Sequence, residues 1–502
     1  LLKAFGKPLL RRRVEEGQAG EERAVTAWVA DWVAGFAGPT YGPHGLDKCI
    51  EQGDGSGRIL KSGASALREA GIRHPDLQPY LDLAHAVQEH AGDQATGAIL
   101  LAAHLMRAAD RARQAGVPVA ALLDGYQLAL RQARAELNAM ASRDAAGASL
   151  RSVLPGQPDL AATVLRGLAH LSLDGEIRLD AVDVRAEADG PAWLPGVAVA
   201  PQHLPRDVPA ATPVRVLLLT DDWKPGPWNE RMSYRMTADH ALAAWTDGED
   251  RRRTEALGHL QRLGVNLVVC AREVNPELAE RAATRGITVW NDAPRSALDR
   301  LRGATGATPV PRLEEATAAD LGTGTLVRRP GHAGWMVQGA GPSATLVVPA
   351  HNAMAQDRAK DDAERLLRAA GAHLGDPSCV PGGGRWQRHL AKALRAAADA
   401  GPGKTPWALR AAADGFARLA DLLVANAGHD PIVEPLLPDA DGVLDPAAPV
   451  RIAVTAAFET AIQQLRIDGR YRKRASSQRG LRGSDDAPGS ASGLPGDIPP
   501  LM

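Results

Sequence analysis

The sequence predicts an α/β chain of several domains, one of them inserted within another, and three observations carry this. Residues 24–141 are largely helical in pattern, with apolar side chains recurring three and four apart at 24–36, 98–109 and 119–140. A different regime follows. Val214-Arg-Val-Leu-Leu-Leu-Thr220, Val265-Asn-Leu-Val-Val-Cys270 and Ile287-Thr-Val-Trp290 read as buried strands, coupled to helix-like segments at 276–285 and 296–303. From residue 357 to about 425 the helical pattern returns, so the two ends look alike and the middle does not.

Each connecting element follows from local chemistry. A Gly-rich stretch at 38–63 interrupts the first helical block and reads as hairpin-like. The pattern weakens at 142–156, and 184–196 is charged and rich in Pro and Gly. Residues 239–245 and 249–263 read as a broken, charged helix facing solvent. Beyond Tyr471 the chain is rich in Ser, Gly and Pro, so 474–502 is expected to be a disordered tail.

A length of 502 residues suffices for two or three domains with cores of their own. Aromatics make up only 4% against 45% hydrophobic residues, so the interior is mostly Ala, Leu and Val, which favours helix packing. The 58 Lys and Arg nearly balance 59 Asp and Glu, which removes any global pull toward nucleic acid or a membrane surface. Cys49, Cys270 and Cys379 lie far apart and form no ligand pair, so a disulfide framework is not expected. No apolar run reaches the ~20 residues that span a bilayer, and the first residues lack a leader layout. The expected location is cytoplasmic.

The chemistry concentrates at Ala91-Gly-Asp-Gln-Ala-Thr-Gly97, which runs into an apolar helix. A glycine turn at a helix start offers free N–H groups and the positive helix end to an anion such as phosphate. Asp93 among phosphates makes sense as a Mg²⁺ ligand; the same residues also make an ordinary turn and cap. Gly401-Pro-Gly-Lys-Thr405 ends like a P-loop but has Ala398 at the first glycine position and no strand before it. His373 and His429 have no partners at metal-ligand spacing, so hydrogen-bonded or solvated roles are expected. The basic run at 470–474 reads as a solvated tail.

Four further segments stand in order around this loop: Thr40-Tyr-Gly-Pro-His-Gly-Leu-Asp-Lys48, Lys61-Ser-Gly-Ala-Ser65, Val380-Pro-Gly-Gly-Gly384 and Leu465-Arg-Ile-Asp468. Asn426-Ala-Gly-His-Asp-Pro431 lies between the last two. The series resembles the chaperonins, in its middle third the group II, thermosome-like branch. Those proteins carry a TLGPKGMDK-like turn, a DGA hairpin, a GDGTTT phosphate loop, a GGG segment and an ILRID terminal strand. Leu263-Gly-Val-Asn-Leu-Val-Val-Cys270 and Leu301-Arg-Gly-Ala-Thr-Gly-Ala307 are similar to apical segments of thermosomes, and the spacing from Met236 to Gly264 fits their helical protrusion, a built-in lid. The resemblance implies an equatorial domain from 1–141 and 382–473, an intermediate domain from 142–195 and 344–381, and an apical substrate domain at 196–343. It implies ATP and Mg²⁺ as cofactors, a ring assembly of like or mixed subunits, non-native protein as client, and neither a membrane nor a nucleic acid as partner.

Carried over residue by residue, the nucleotide site comprises Thr40, Gly42, Pro43, Lys61, Gly92, Asp93, Gln94, Ala95, Thr96, Gly97, Gly383 and Asp445. Asp93 is the metal ligand, Asp445 stands beside the ribose, and Lys61 stands where the bacterial branch has a lysine. Gly42 is expected to let backbone approach the ligand. The departures are chemical. Gln94-Ala-Thr-Gly97 replaces Gly-Thr-Thr-Thr, so only Thr96 keeps its hydroxyl, and Ser62 replaces the aspartate of the DGA motif. Asp361-Asp-Ala-Glu-Arg-Leu-Leu-Arg-Ala-Ala370 resembles a DDALxxxRAA helix, which makes Asp362 the catalytic acid. The same acids also read as helix N-terminal charges. Gly375-Asp-Pro lengthens the path to Gly382, and 432–440 is short for the family. The resulting expectation is an ATP-driven folding subunit, with a non-hydrolysing scaffold or regulatory protein as the alternative.

Overall fold

The structure is a computed structural model describing residues 19–467 except 54, 56, 145, 174–175, 225–238, 330, 332–333 and 439. The expected tail at 474–502, the basic run at 470–474, Asp468 and Met236 lie outside the described residues.

The first core is helical and draws on both ends of the described chain. Its helices are α1 (Ala19–Ala37), α2 (Gly63–Glu69), α3 (Gln78–Ala91), α4 (Ala95–Gln114) and α5 (Val119–Met140) from the front. The back supplies α12 (Arg385–Ala400), α13 (Thr405–Asn426) and α14 (Ala447–Leu465). Ala98 to Ala103 of α4 are all buried, so this helix is apolar around its whole circumference and sits at the centre. Helices α1, α3, α13 and α14 surround it. The scarcity of aromatics is resolved by close approach: a Cβ on Gly125 of α5 would fall 2.3 Å from the Ala408 methyl of α13. Small residues let the helix backbones approach where larger cores would interpose rings. Strands β1 (Lys48–Glu51) and β2 (Gly57–Leu60) form the antiparallel hairpin within the Gly-rich stretch.

A second core lies beside the three-stranded sheet of β6 (Val182–Glu187), β14 (Ala344–Pro349) and β7 (Ala192–Pro195). The central β14 is parallel to β6 and antiparallel to β7. Helices α6 (Leu150–Val153), α7 (Pro158–Ala169) and α11 (Ala353–Gly375) supply the rest of this core. Trp193 packs on Gly167, where a Cβ would fall 2.0 Å from its ring. The short strands β3 (Ser142–Arg143), β15 (Ser378–Pro381) and β16 (Leu444–Pro446) form a small sheet, and β4 (Ser172–Leu173) pairs with β5 (Glu176–Ile177).

The middle of the chain builds a six-stranded sheet. Its members are β8 (Val197–Val199), β9 (Ala211–Leu219), β10 (Leu267–Cys270), β11 (Thr288–Trp290), β12 (Gly322–Arg328) and β13 (Trp335–Gln338), in the order β11-β10-β9-β12-β13-β8. Strands β9, β10 and β11 are mutually parallel, and β12, β13 and β8 pair antiparallel. Alternation along β9 serves two cores. Leu217 and Leu219 face α8 (Asp239–Leu263) and α9 (Pro276–Thr284), whereas Val214, Val216 and Leu218 face α10 (Arg295–Thr305). The break expected between 245 and 249 is absent: α8 is continuous through Gly248. Glu249 pairs with Arg252 and Arg253 one turn on, and such pairs offset part of the roughly 1 kcal/mol helix cost of a glycine. No described helix is long and apolar enough to cross a membrane.

Candidate functional site

A cavity of about 740 Å³ opens between the helical core and α11. All twelve residues expected at the nucleotide line it, from Thr40 through Lys61 and the 92–97 loop to Gly383 and Asp445. Asp362, the expected catalytic acid, does not; it lies buried behind Arg365, which does line the cavity.

Loop geometry is set by backbone conformation. Helix α3 ends on Gly92 in the left-handed region (φ +70°), and Gln94 adopts φ +66° as the N-cap of α4. A non-glycine residue there costs about 1–3 kcal/mol. Gln94 makes no side-chain cap, so the first-turn N–H groups of Ala95, Thr96 and Gly97 are left for an anion at the positive end of a 20-residue helix. Gly92 has a second reason to be glycine: a Cβ would fall 2.5 Å from the Arg365 carbonyl and 2.6 Å from the Ala369 nitrogen. Helix α11 therefore rests directly on the loop.

The opposite wall is the turn at 38–43. Asn426 at the end of α13 donates to the carbonyls of Gly38 (2.9 Å) and Tyr41 (2.8 Å), clamping it. Thr40 lines the cavity but donates its hydroxyl to the Ala37 carbonyl (2.8 Å). Gly42 lines the cavity, and a Cβ at its φ of +87° would fall 2.4 Å from Leu423 Cδ2. A side chain there would meet α13. Gly383 is likewise packed, 2.5 Å from Ala440 Cβ by the same measure.

The charged groups meet at Asp93. Its Oδ1 accepts from Arg365 Nη2 (3.2 Å) and its Oδ2 from Gln94 Nε2 (3.2 Å). Arg365 Nη1 reaches Asp362 Oδ1 (3.2 Å), and Arg358 Nε stands 4.0 Å from the other Asp362 oxygen. Asp361, one residue earlier, turns to Arg58 of β2 (3.4 Å). Burial raises the Asp361 carboxyl above its usual range while Arg58 opposes the shift. Arg358 also pairs with Asp47 (2.9 Å), so three arginines tie α11 to residues 47–93. The lengthened path after α11 is absorbed by running the helix through Gly375 and pairing Asp376 with Arg451 of α14.

Ser62 caps α2 by accepting from the Ser65 nitrogen (3.4 Å), and its Oγ stands 3.3 Å from Thr96 Oγ1. At the far end Asp445 accepts from Trp386 Nε1 (3.0 Å). Burial, with Asp93 adding repulsion, pushes its carboxyl up to about 6 against the pull of Trp386 and Ser152. Lys61 and Arg151 also face the cavity, and neither has an ion-pair partner among the described residues. Asp93 fits a divalent cation that takes one carboxylate and completes its shell with phosphate and water; the described residues hold no cluster of three or more metal-ligating groups.

Sequence reasoning missed Tyr41, Arg151, Arg365 and Gln387 on this lining. Arg365 was legible, since it follows Asp362 by three residues on a helix; Arg151 sits on the four-residue α6 and had no signal. His373 Nε2 is 3.0 Å from the Asp144 carbonyl, and His429 pairs with Glu434 (2.8 Å). The P-loop-like 401–405 segment joins α12 to α13 away from the cavity.

Comparison with known proteins places this architecture. The chain is 25% identical to thermosome subunit beta of Halobacterium salinarum, covering 92% of each chain. It is 25% identical to a thermosome subunit of Pyrococcus abyssi, covering 89% of this chain and 91% of that one. A crystal structure of a group III chaperonin in the open state superposes with a TM-score of 0.71 at 22% identity, over 90% of this chain and 99% of the other. The fold is the multidomain α/β chaperonin fold. The TCP-1/cpn60 chaperonin family matches residues 33–434, and the chain belongs to that family.

Proposed function

We propose that the cavity binds ATP and that the chain works as a chaperonin subunit, coupling the nucleotide to movement of its inserted domain around non-native protein in a ring. The observation that carries this reading is the uncapped start of α4, with Asp93 and Lys61, which has no ion-pair partner among the described residues, on the same lining of a cavity large enough for a nucleotide. The first-turn N–H groups, Thr96 and Lys61 would hold phosphate; Asp445 would meet the ribose. Mg²⁺ would sit on Asp93, where it would neutralise phosphate charge. The domains in this reading are equatorial (1–141 and 382–473), intermediate (142–195 and 344–381) and apical (196–343).

Hydrolysis asks for carboxylates that orient water, and here the chain is weak. Ser62 carries no charge at neutral pH, and Asp362 is engaged by Arg365. Slow turnover follows, and the same two residues favour the second reading, a nucleotide-binding scaffold that does not hydrolyse. The deciding experiment is phosphate release from purified protein with and without Mg²⁺, beside a thermal shift with ATP. Saturating ATP at 100 times its Kd stabilises by about 2.7 kcal/mol, and Asp93→Ala should abolish the Mg²⁺-dependent part. No shift for the unaltered protein at millimolar ATP would end the nucleotide reading.

A further inference from the structure

Arg365 has more to do than tie two helices together. Its side chain is 19% exposed and lines the cavity, yet each guanidinium arm is held by a single 3.2 Å contact rather than a bidentate fork. Both carboxylates it touches have other partners: Gln94 donates to Asp93, and Arg358 stands by Asp362. Its clamping role is duplicated as well, because Arg358–Asp47 and Arg58–Asp361 already fasten α11. The Asp93 that this guanidinium grips stands two residues before the open first turn of α4. Of the other acids on the lining, Asp441 pairs with Arg385 and Asp445 accepts from Trp386.

We propose that Arg365 is a phosphate ligand of this site, held between Asp93 and Asp362 until a nucleotide arrives. The inference rests on the nucleotide reading above and adds to it. A guanidinium matches phosphate oxygens in fork geometry and keeps its charge at any working pH. With Lys61 and Arg151 it gives the cavity three cations of its own. ATP therefore binds measurably without a divalent cation, and Mg²⁺ strengthens binding instead of being required for it.

The test is calorimetric titration of the full chain with ATP, in EDTA and in Mg²⁺. The unaltered protein should bind in both. Arg365→Gln should weaken binding in EDTA by about tenfold or more, the worth of a hydrogen bond to a charged group, and by less in Mg²⁺. Arg365→Lys should recover part of the loss. Asp362→Asn, which leaves the arginine less firmly held, should tighten binding in EDTA and decides the matter if the arginine variants do not fold. Binding by Arg365→Gln in EDTA as tight as, or tighter than, that of the unaltered protein would make the arginine a mere competitor for Asp93 and overturn the proposal. Binding by the unaltered protein in Mg²⁺ alone also overturns it while leaving the nucleotide reading intact. No binding in either buffer by any form sinks both.

Discussion

The two walls of the cavity differ in what fixes them. The loop wall, 91–97 with the turn at 38–43, is built from backbone: left-handed Gly42, Gly92 and Gln94, an uncapped helix start, and Asn426 bonding two carbonyls. The acid wall, Ser62 and α11, is built from side chains: a neutral hydroxyl stands 3.3 Å from Thr96, and a guanidinium engages Asp362. Backbone geometry is enforced by packing on every side, so a changed glycine costs stability at once. A changed acid costs only chemistry. A substitution on the acid wall therefore leaves the loop backbone in place, and one at Gly92 does not.

The largest expected effect restores the acid wall. A positioned acid–base group contributes about 10²–10⁴ in rate, so Ser62→Asp should raise phosphate release at least tenfold. Its oxygen already stands 3.3 Å from Thr96, on the cavity. If turnover stays flat while ATP still binds, the cover of Arg365 over Asp362 is the limiting defect. A double change with Arg365→Gln then separates the two causes. Brisk hydrolysis by the unaltered chain would instead show that another group orients the water.

The second prediction breaks the loop wall. Gly92→Ala forces a Cβ to within 2.5 Å of the Arg365 carbonyl at a φ of +70°. Strain at positive φ and overpacking each cost about 1–3 kcal/mol, so urea denaturation should show a loss of about 3 kcal/mol. A loss under about 1 kcal/mol would mean that α11 does not rest on the loop in solution.

The same division explains what the sequence disclosed. Elements with a period of their own were legible: the helix at 119–140 matches α5 end to end, and the apolar run ending at Cys270 contains β10. Strands β6, β7 and β14 were not, because β6 finds its parallel partner β14 some 160 residues away and a pairing across that distance leaves no local pattern. The glycine and Asp93 positions of the site could be read because a turn before a helix has a local grammar. Arg365 escaped attention although its spacing from Asp362 was plain, since a salt bridge within a helix is ordinary and only the fold brings Asp93 to its other side. The neighbour that a Cβ on Gly42 would meet, Leu423, was illegible for a similar reason: it lies nearly 400 residues on.

The smallest effect probes where the two walls meet chemically, at Asp445. Its carboxyl is raised to about 6, with burial the main cause and Asp93 the next charge to push it up. An acid with a raised folded pKa holds its proton in the native state after the unfolded chain, with the ordinary value near 3.8, has released it. Native protein thus binds more protons between about pH 4 and 6, and the linkage slope is negative: stability falls as pH climbs through that window and levels off above it. Asp445→Asn keeps an acceptor for Trp386 Nε1 and removes the titration. Relative to the unaltered protein, the variant should therefore gain stability from pH 4 to 6 and hold a constant advantage beyond, measured by urea midpoints at each pH. Asp144 and Asp361, which also titrate away from their usual values, are common to both proteins and cancel in the difference. Parallel curves would mean that Asp445 is well solvated, and that the far end of the cavity is as open as its loop wall.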